Sequence, residues 1–229
     1  MALSSITKKL IMSVSGLFLI VFLLLHTTIN FFAVIDVILG TWGAPAGEGW
    51  YASGCWFMAT PVIDIMVPIL ALGFAVHIIY AGILSYGNYK ARGEVRYAVA
   101  NKTKAESWAA KNMLVLGVVV LGIVAFHLNH FWADMQLAEF QGHHAANPYE
   151  LLNATFGNWI WVVVYLIWFV ALGLHLCHGF WSAFQSMGLS NKNWEKRLMY
   201  IGYVFVAIIV LGFSAVAINA CLHANGILG

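Results

Sequence analysis

Charge is scarce in this chain: 9% of its 229 residues are Asp, Glu, Lys or Arg, against roughly a quarter in soluble globular proteins. A chain this poor in charge cannot clothe a water-facing domain, and no separate soluble catalytic domain is expected. Three cysteines, Cys55, Cys177 and Cys221, are widely dispersed with no CxxC pair. They exclude a disulfide framework, a cysteine-held metal cluster and thioether attachment of a prosthetic group. Proline is limited to four residues. Of these, Pro61 and Pro68 fall at the start and first turns of one apolar run, where a missing N–H is tolerated. A nucleic-acid partner is not expected.

What the chain has instead is long apolar runs, with 62% of its residues hydrophobic. Five segments, about 10–32, 62–86, 113–132, 159–184 and 198–222, are each long enough to cross a hydrocarbon core of ~30 Å at 1.5 Å per residue. The first run is too long for a signal-peptide core and lacks a small-residue cleavage site, so it reads as a span. Backbone in lipid must satisfy its hydrogen bonds within a helix or a closed barrel. The expectation is therefore an all-α membrane protein, a single five-helix bundle over residues 1–229, with loops at 40–54, 87–111, 134–158 and 188–197.

The basic residues fall on one side of that topology. Lys8 and Lys9 precede span one; Lys90, Arg92, Arg96, Lys102, Lys104 and Lys111 follow span two; Lys192, Lys196 and Arg197 follow span four. By the positive-inside rule this is the cytoplasmic side, with the N-terminus inside and the C-terminus outside. Asp36, Glu48, Asp134, Glu139, Glu150, His143 and His144 lie on the other side. Trp42, Trp50, Trp56, Trp132 and Trp159 are placed to form an aromatic belt at that outer boundary.

Ionisable residues inside spans are costly and usually mark function. Four spans carry histidines: His26, His77, His127 with His130, and His175 with His178. One buried imidazole alone reads as a hydrogen-bonded packing residue. Four spans with one or two each suggest paired axial ligation of haem iron. Depth sorts them. His26 and His127 lie about 24 and 21 Å from the inner ends of their spans, whereas His77 and His175 lie about 14 Å from theirs. His77 is thus expected to pair with His175 near the cytoplasmic side, and His26 with His127 near the outer side. Gly16, Gly73, Gly117, Gly122, Gly173 and Gly179 sit on the same helices and give room for a flat ring, although small residues also serve ordinary helix packing. Lys9, Ser13, Lys111, Gln185 and Arg197 are candidates to meet propionates on the inner side.

Three segments carry a likeness to a known family: SVSGLFLIVFLLLHTTINFF in span one, GVVVLGIVAFHLNHFW in span three and LGLHLCHGFWSAFQSMG in span four. The whole chain resembles the five-helix, di-haem cytochrome b anchor subunit of succinate dehydrogenase and fumarate reductase. In that family the fourth ligand stands four residues before a Gly that is followed by a bulky and an aromatic residue, as His175, Gly179, Phe180 and Trp181 do here. The resemblance implies that His26, His77, His127 and His175 are the ligands of two haems b. It leaves His130 and His178 as propionate or quinone neighbours. It also implies a flavoprotein subunit with FAD and an iron–sulfur subunit on the cytoplasmic side, which carry out the succinate and fumarate chemistry. This chain would then pass electrons to or from menaquinone in a bacterial cytoplasmic membrane. The same comparison makes Glu48 the expected proton relay for the quinone, with Asp64 as the competing carboxylate. Some relatives carry a Glu two residues before the fourth ligand for transmembrane proton movement; Gly173 stands there, so that route is not expected. Readings that compete are a di-haem subunit of a nitrate reductase or hydrogenase, a transporter using its histidines for protons or a metal ion, and an anchor without haem.

Overall fold

A computed structural model describes residues 3–92 and 108–228, and among them the chain is built of helices and connecting turns. The long helices are α1 (Ser5–Leu39), α3 (Pro61–Arg92), α5 (Met113–His127), α8 (Trp159–Ser186) and α9 (Trp194–Ala224). The third span continues past α5 through a π-helical stretch, Leu128–Leu137, and one last α turn, α6 (Ala138–Phe140). Five helical rods are thus long and apolar enough to cross a membrane: Ser5–Leu39, Pro61–Ala91, Met113–Phe140, Trp159–Ser186 and Trp194–Ala224. A multi-pass membrane protein fits this architecture. Much of the apolar surface faces outward, with Val21, Ile65, Ile167 and Leu211 each 63–68% exposed. Such positions make sense against lipid.

The rods outrun the apolar stretches that announce them. Helix α1 extends past residue 32 to Leu39, and α9 begins at Trp194 rather than near 198. Hydropathy sees only the lipid-matched segment, whereas the hydrogen-bonded ladder runs on until a cap stops it. For α1 the N-terminal stop is Ser4, whose hydroxyl accepts from Thr7 N–H, and the C-terminal stop is Gly40 at φ 69°. That left-handed conformation is one glycine adopts without a Cβ clash.

All four segments expected as loops contain helix, the 188–197 stretch holding the first turn of α9. The 40–54 stretch leads into α2 (Trp50–Met58), and 134–158 holds the end of the third rod and α7 (Pro148–Phe156). The 87–111 stretch contains the last turns of α3 and the short α4 (Trp108–Lys111). The signals for α7 were local: Asn147 accepts from Tyr149 N–H and Glu150 N–H, with Pro148 at the first helical position. Arg96, Lys102 and Lys104 lie outside the described residues.

Helices α8 and α9 form the most buried part of the bundle, and α1 packs on α3, α8 and α9, while α5 packs on α8. Tyr165, Leu172, Ile209, Phe213 and Ala217 lie at the centre. Gly202 receives Phe180, whose ring would be 2.9 Å from any Cβ there, and Gly173 likewise receives Val210 at 2.9 Å. Glycine lets these backbones approach as small-residue interfaces do in membranes. The space beside Gly173 is therefore filled by an α9 valine.

Candidate functional site

Two pairs of imidazoles meet inside the bundle at two heights. In one, His77 of α3 and His175 of α8 have ring centroids 6.4 Å apart at 71°. In the other, His26 of α1 and His127, the last residue of α5, are 5.6 Å apart at 85°. These are the pairs expected from depth.

The helices that carry each pair are not close neighbours. Neither α3 with α8 nor α1 with α5 is among the closely packed helix pairs of the described residues. Each pair of side chains therefore reaches across a gap between backbones. The inner pair has glycine on two sides. A Cβ at Gly16 would lie 3.2 Å from His77 Cε1, and one at Gly117 would lie 3.7 Å from His175 Cε1. Gly16 and His26 stand ten positions apart on α1, as Gly117 and His127 do on the third rod, which separates the layers by about 15 Å along either helix.

Each pair has one anchored and one unanchored ring. His77 Nδ1 is 3.3 Å from the Ser15 hydroxyl, which itself donates to Met12 C=O at 3.0 Å. His26 Nδ1 lies 3.5 Å from Asn30 Nδ2, and the Asn30 amide donates to the His26 carbonyl at 2.8 Å. The Nδ1 atoms of His127 and His175 are buried with no hydrogen-bond partner. A buried imidazole nitrogen without a partner is costly, and opposed imidazoles suit a haem iron. Two imidazoles facing one metal from opposite sides, each bonded at about 2.0 Å, hold their centroids about 6 Å apart. The observed 5.6 and 6.4 Å bracket that spacing. No group of three or more His, Cys, Asp or Glu side chains converges among the described residues. Haem iron asks only two ligands of the protein, because the porphyrin supplies four.

Aromatic side chains enclose the outer pair. Phe22 stacks on His26 at 5.3 Å, Phe213 of α9 approaches it at 5.6 Å, and Trp168 lies 5.9 Å from His127. The π-helical stretch begins directly after His127. Such irregular turns concentrate at functional sites, and nothing in the apolar pattern signals this one.

His130 stands apart from both pairs: its Nδ1 lies 3.1 Å from Tyr165 OH and its ring meets Trp161 edge-on at 4.5 Å. His178 is edge-on to Trp181, with Nδ1 buried and without a partner. Of the five polar residues expected near propionates, Ser13 is buried on α1, while Lys9, Lys111, Gln185 and Arg197 are exposed. Arg197 lies over the Trp194 ring at 5.4 Å.

At the opposite end, Glu48 is exposed in the turn before α2, and its backbone N–H donates to Pro45 C=O. Asp64 lies elsewhere, accepting from Gln136 Nε2 at 2.9 Å; the same amide nitrogen reaches Glu139 Oε2 at 3.4 Å. Trp50, Trp56 and Trp159 are exposed as a belt requires, whereas Trp132 is half-buried, and so is Trp42. Its ring stacks on His223 at 4.5 Å and meets Tyr149 at 5.1 Å, so it seals the end of the bundle.

The residue the sequence undersold is Asp36, fully buried near the end of α1. Its Oδ1 accepts from Trp50 N–H at 2.8 Å and Thr41 OH at 2.7 Å; its Oδ2 accepts from Tyr51 N–H and Tyr149 OH, both at 2.7 Å. One carboxylate thus caps the first turn of α2 and ties α7 to α1. Gly49, the residue before α2, supplies no side-chain cap, and a Cβ there would strike Tyr149 OH at 2.6 Å. An acid late in an otherwise apolar helix was the available signal. Its neighbours Tyr51 and Tyr149 have phenols held well above their usual range, chiefly by burial, and burial pushes the Cys55 thiol up to about 12.

Set against protein-family models, characterised proteins and solved structures, the chain matches none of them.

Proposed function

We propose that this chain is the membrane-anchor cytochrome b subunit of a succinate:quinone oxidoreductase, a succinate dehydrogenase or fumarate reductase. It would carry electrons through two haems b between an iron–sulfur subunit and membrane quinone. One observation supports the haem reading above the others: two imidazole pairs face each other across inter-helix gaps, about 15 Å apart in height. His77 and His175 would hold the inner haem, and His26 and His127 the outer one. The choice of complex rests on the resemblance of the three quoted segments, which a haem pair alone does not carry.

Bound haem supplies a one-electron couple that cycles without proton transfer at the iron. The chain's own residues do the rest. Ser15, whose own proton goes to Met12 C=O, accepts from His77 Nδ1–H and fixes that ring's orientation, which leaves its Nε2 for the metal. Gly16 and Gly117 keep the faces of the inner pair clear. Phe22, Phe213 and Trp168 exclude water from the outer pair, and a dry shell shifts a haem potential. The end bearing Lys8, Lys9, Lys192, Lys196 and Arg197 would face the cytoplasm and receive the flavoprotein and iron–sulfur subunits.

A reduced-minus-oxidised spectrum of the purified chain, with haem counted per chain, tests this. Two b-type haems are expected. Replacing His77 or His175 with Leu should remove or alter the inner one, and replacing His26 or His127 the outer one. A colourless chain, or His77 and His175 variants with both haems unaltered, would overturn the assignment.

A further inference from the structure

We infer that a cavity of about 420 Å³ at the acidic end of the bundle binds a primary alkylammonium, with Glu139 and Gln136 receiving its N–H groups. The inference goes beyond the proposed function and does not depend on haem. Small-molecule sites are typically concave, mostly apolar and of about 300–1,000 Å³, with a few polar groups fixing orientation. Ala52 and Trp56 of α2 form one wall of this cavity, Met135, Gln136 and Glu139 of the third rod another, and Tyr149 of α7 a third.

The polar part of that lining calls for a donor that carries positive charge. Glu139 is half-buried, and its only side-chain hydrogen bond among the described residues is a long one, 3.4 Å from Gln136 Nε2. The same amide nitrogen is held more closely by Asp64 Oδ1, at 2.9 Å. Two carboxylates therefore draw on one amide, and neither has a cationic partner among the described residues. Gln136 is itself buried, at 9% exposure. With its NH₂ turned to the two acids, its carbonyl Oε1 has no donor among the described residues. A buried acceptor left unmatched is costly. The Tyr149 hydroxyl gives its proton to Asp36, so it too offers the cavity only lone pairs.

No Lys, Arg or His lines the cavity. Lys8 and Lys9 stand in the first turn of α1, whereas the cavity lies beyond the other end of that 35-residue helix. The separation is about 50 Å, well past the ~10 Å over which exposed charges act at 0.1 M salt. The walls then choose among cations. No three His, Cys, Asp or Glu side chains converge among the described residues, so the many oxygen ligands a calcium ion takes are not assembled. An alkylammonium asks for less. One N–H makes a charge-assisted bond to Glu139, a second reaches Gln136 Oε1, and the hydrocarbon lies on Ala52, Met135 and the Trp56 ring, which also attracts a cation. A quaternary ammonium keeps the charge but has no N–H to give. Trp56 is exposed beside the cavity, at the level of the aromatic belt, so the amine can come from a lipid headgroup or from water.

The test uses the full-length chain in detergent, with hexylammonium chloride as the probe and affinity read by isothermal titration calorimetry. Saturable binding is expected, at least tenfold tighter than that of hexanol or hexyltrimethylammonium. Glu139→Gln removes the charge and keeps the shape, and should weaken binding at least tenfold. Ala59→Phe, which fills the cavity at the end of α2, should weaken it as much, whereas Glu48→Gln, outside the cavity, should leave it unchanged. Unfolding midpoints identify a variant that fails to fold, and the comparison of the three probes on the unmodified chain needs no variant. In nanodiscs of mixed phosphatidylethanolamine and phosphatidylcholine, native mass spectrometry reads the source of the amine. An ethanolamine lipid retained on the unmodified chain and lost from Glu139→Gln marks a headgroup site; hexylammonium binding without such retention marks a site for a free amine. If the unmodified chain binds hexylammonium no better than hexanol, or if Glu139→Gln and Ala59→Phe both bind it as the unmodified chain does, the inference fails. The haem count is unaffected by either result, so the proposed function stands or falls separately.

Discussion

Replacing Asp36 tests the outer end of the structure without reference to any cofactor. Its carboxylate accepts four hydrogen bonds, two from backbone N–H groups of α2 and two from hydroxyls of Thr41 and Tyr149. Asp36→Ala removes the cap of α2, a loss of about 1 kcal/mol. It also leaves the buried Tyr149 hydroxyl without its acceptor, for roughly 1–3 kcal/mol more. The Thr41 hydroxyl is half-buried and can turn to water, so the total is about 2–4 kcal/mol. Asp36→Asn keeps the shape but swaps one accepting oxygen for an NH₂ that faces two donors. About half the loss should follow. Tyr149→Phe leaves the carboxylate three donors and should cost about 1 kcal/mol. Thermal unfolding in detergent, followed by tryptophan fluorescence, should rank the midpoints in that order. Asp36→Ala should fall by roughly 4–16 °C if the shift is about 2–4 °C per kcal/mol. The double variant must cost less than the sum of Asp36→Ala and Tyr149→Phe, because the two share one bond. A strictly additive pair, or an Asp36→Asn midpoint equal to that of the unmodified chain, would refute the assigned role.

Other expectations follow from single contacts. Gly16→Leu places a side chain where even a Cβ lies 3.2 Å from His77 Cε1; it should halve the haem content per chain, measured as pyridine haemochrome, and spare the outer layer. The raised Cys55 thiol makes alkylation by iodoacetamide at pH 8 at least tenfold slower than for a model thiol, measured by mass spectrometry. The folded thiol titrates near 12 and the unfolded one near 9, so its contribution to stability is intact below pH 9 and declines as pH rises toward 12. A midpoint that climbed across that window in the unmodified chain, but not in Cys55→Ala, would contradict this sign.

How far the site could be read in advance differs residue by residue. The pairing of His77 with His175 and His26 with His127 was legible because helix rise is fixed, so counting residues from a span end measures depth. Glu48 illustrates the opposite case. Its spacing from His26 suggests a site, but spacing along a turn does not say which way the chain folds, and only the structure shows the carboxylate exposed in the turn before α2. Trp42 stands in sequence where a belt residue would, yet its ring closes on His223 and Tyr149.

The sequence by itself determined the solvent and the heights. Apolar runs of that length have one inexpensive arrangement, with backbone hydrogen bonds closed inside each helix, and the rise per residue then sets the level of every histidine. Only the tertiary structure decided which carboxylate lies buried, which two share one glutamine amide and where the third rod loosens into a π-helix. Those outcomes depend on contacts between distant segments, such as Tyr149 with Asp36 and Gln136 with Asp64. Local pattern carries no information about them.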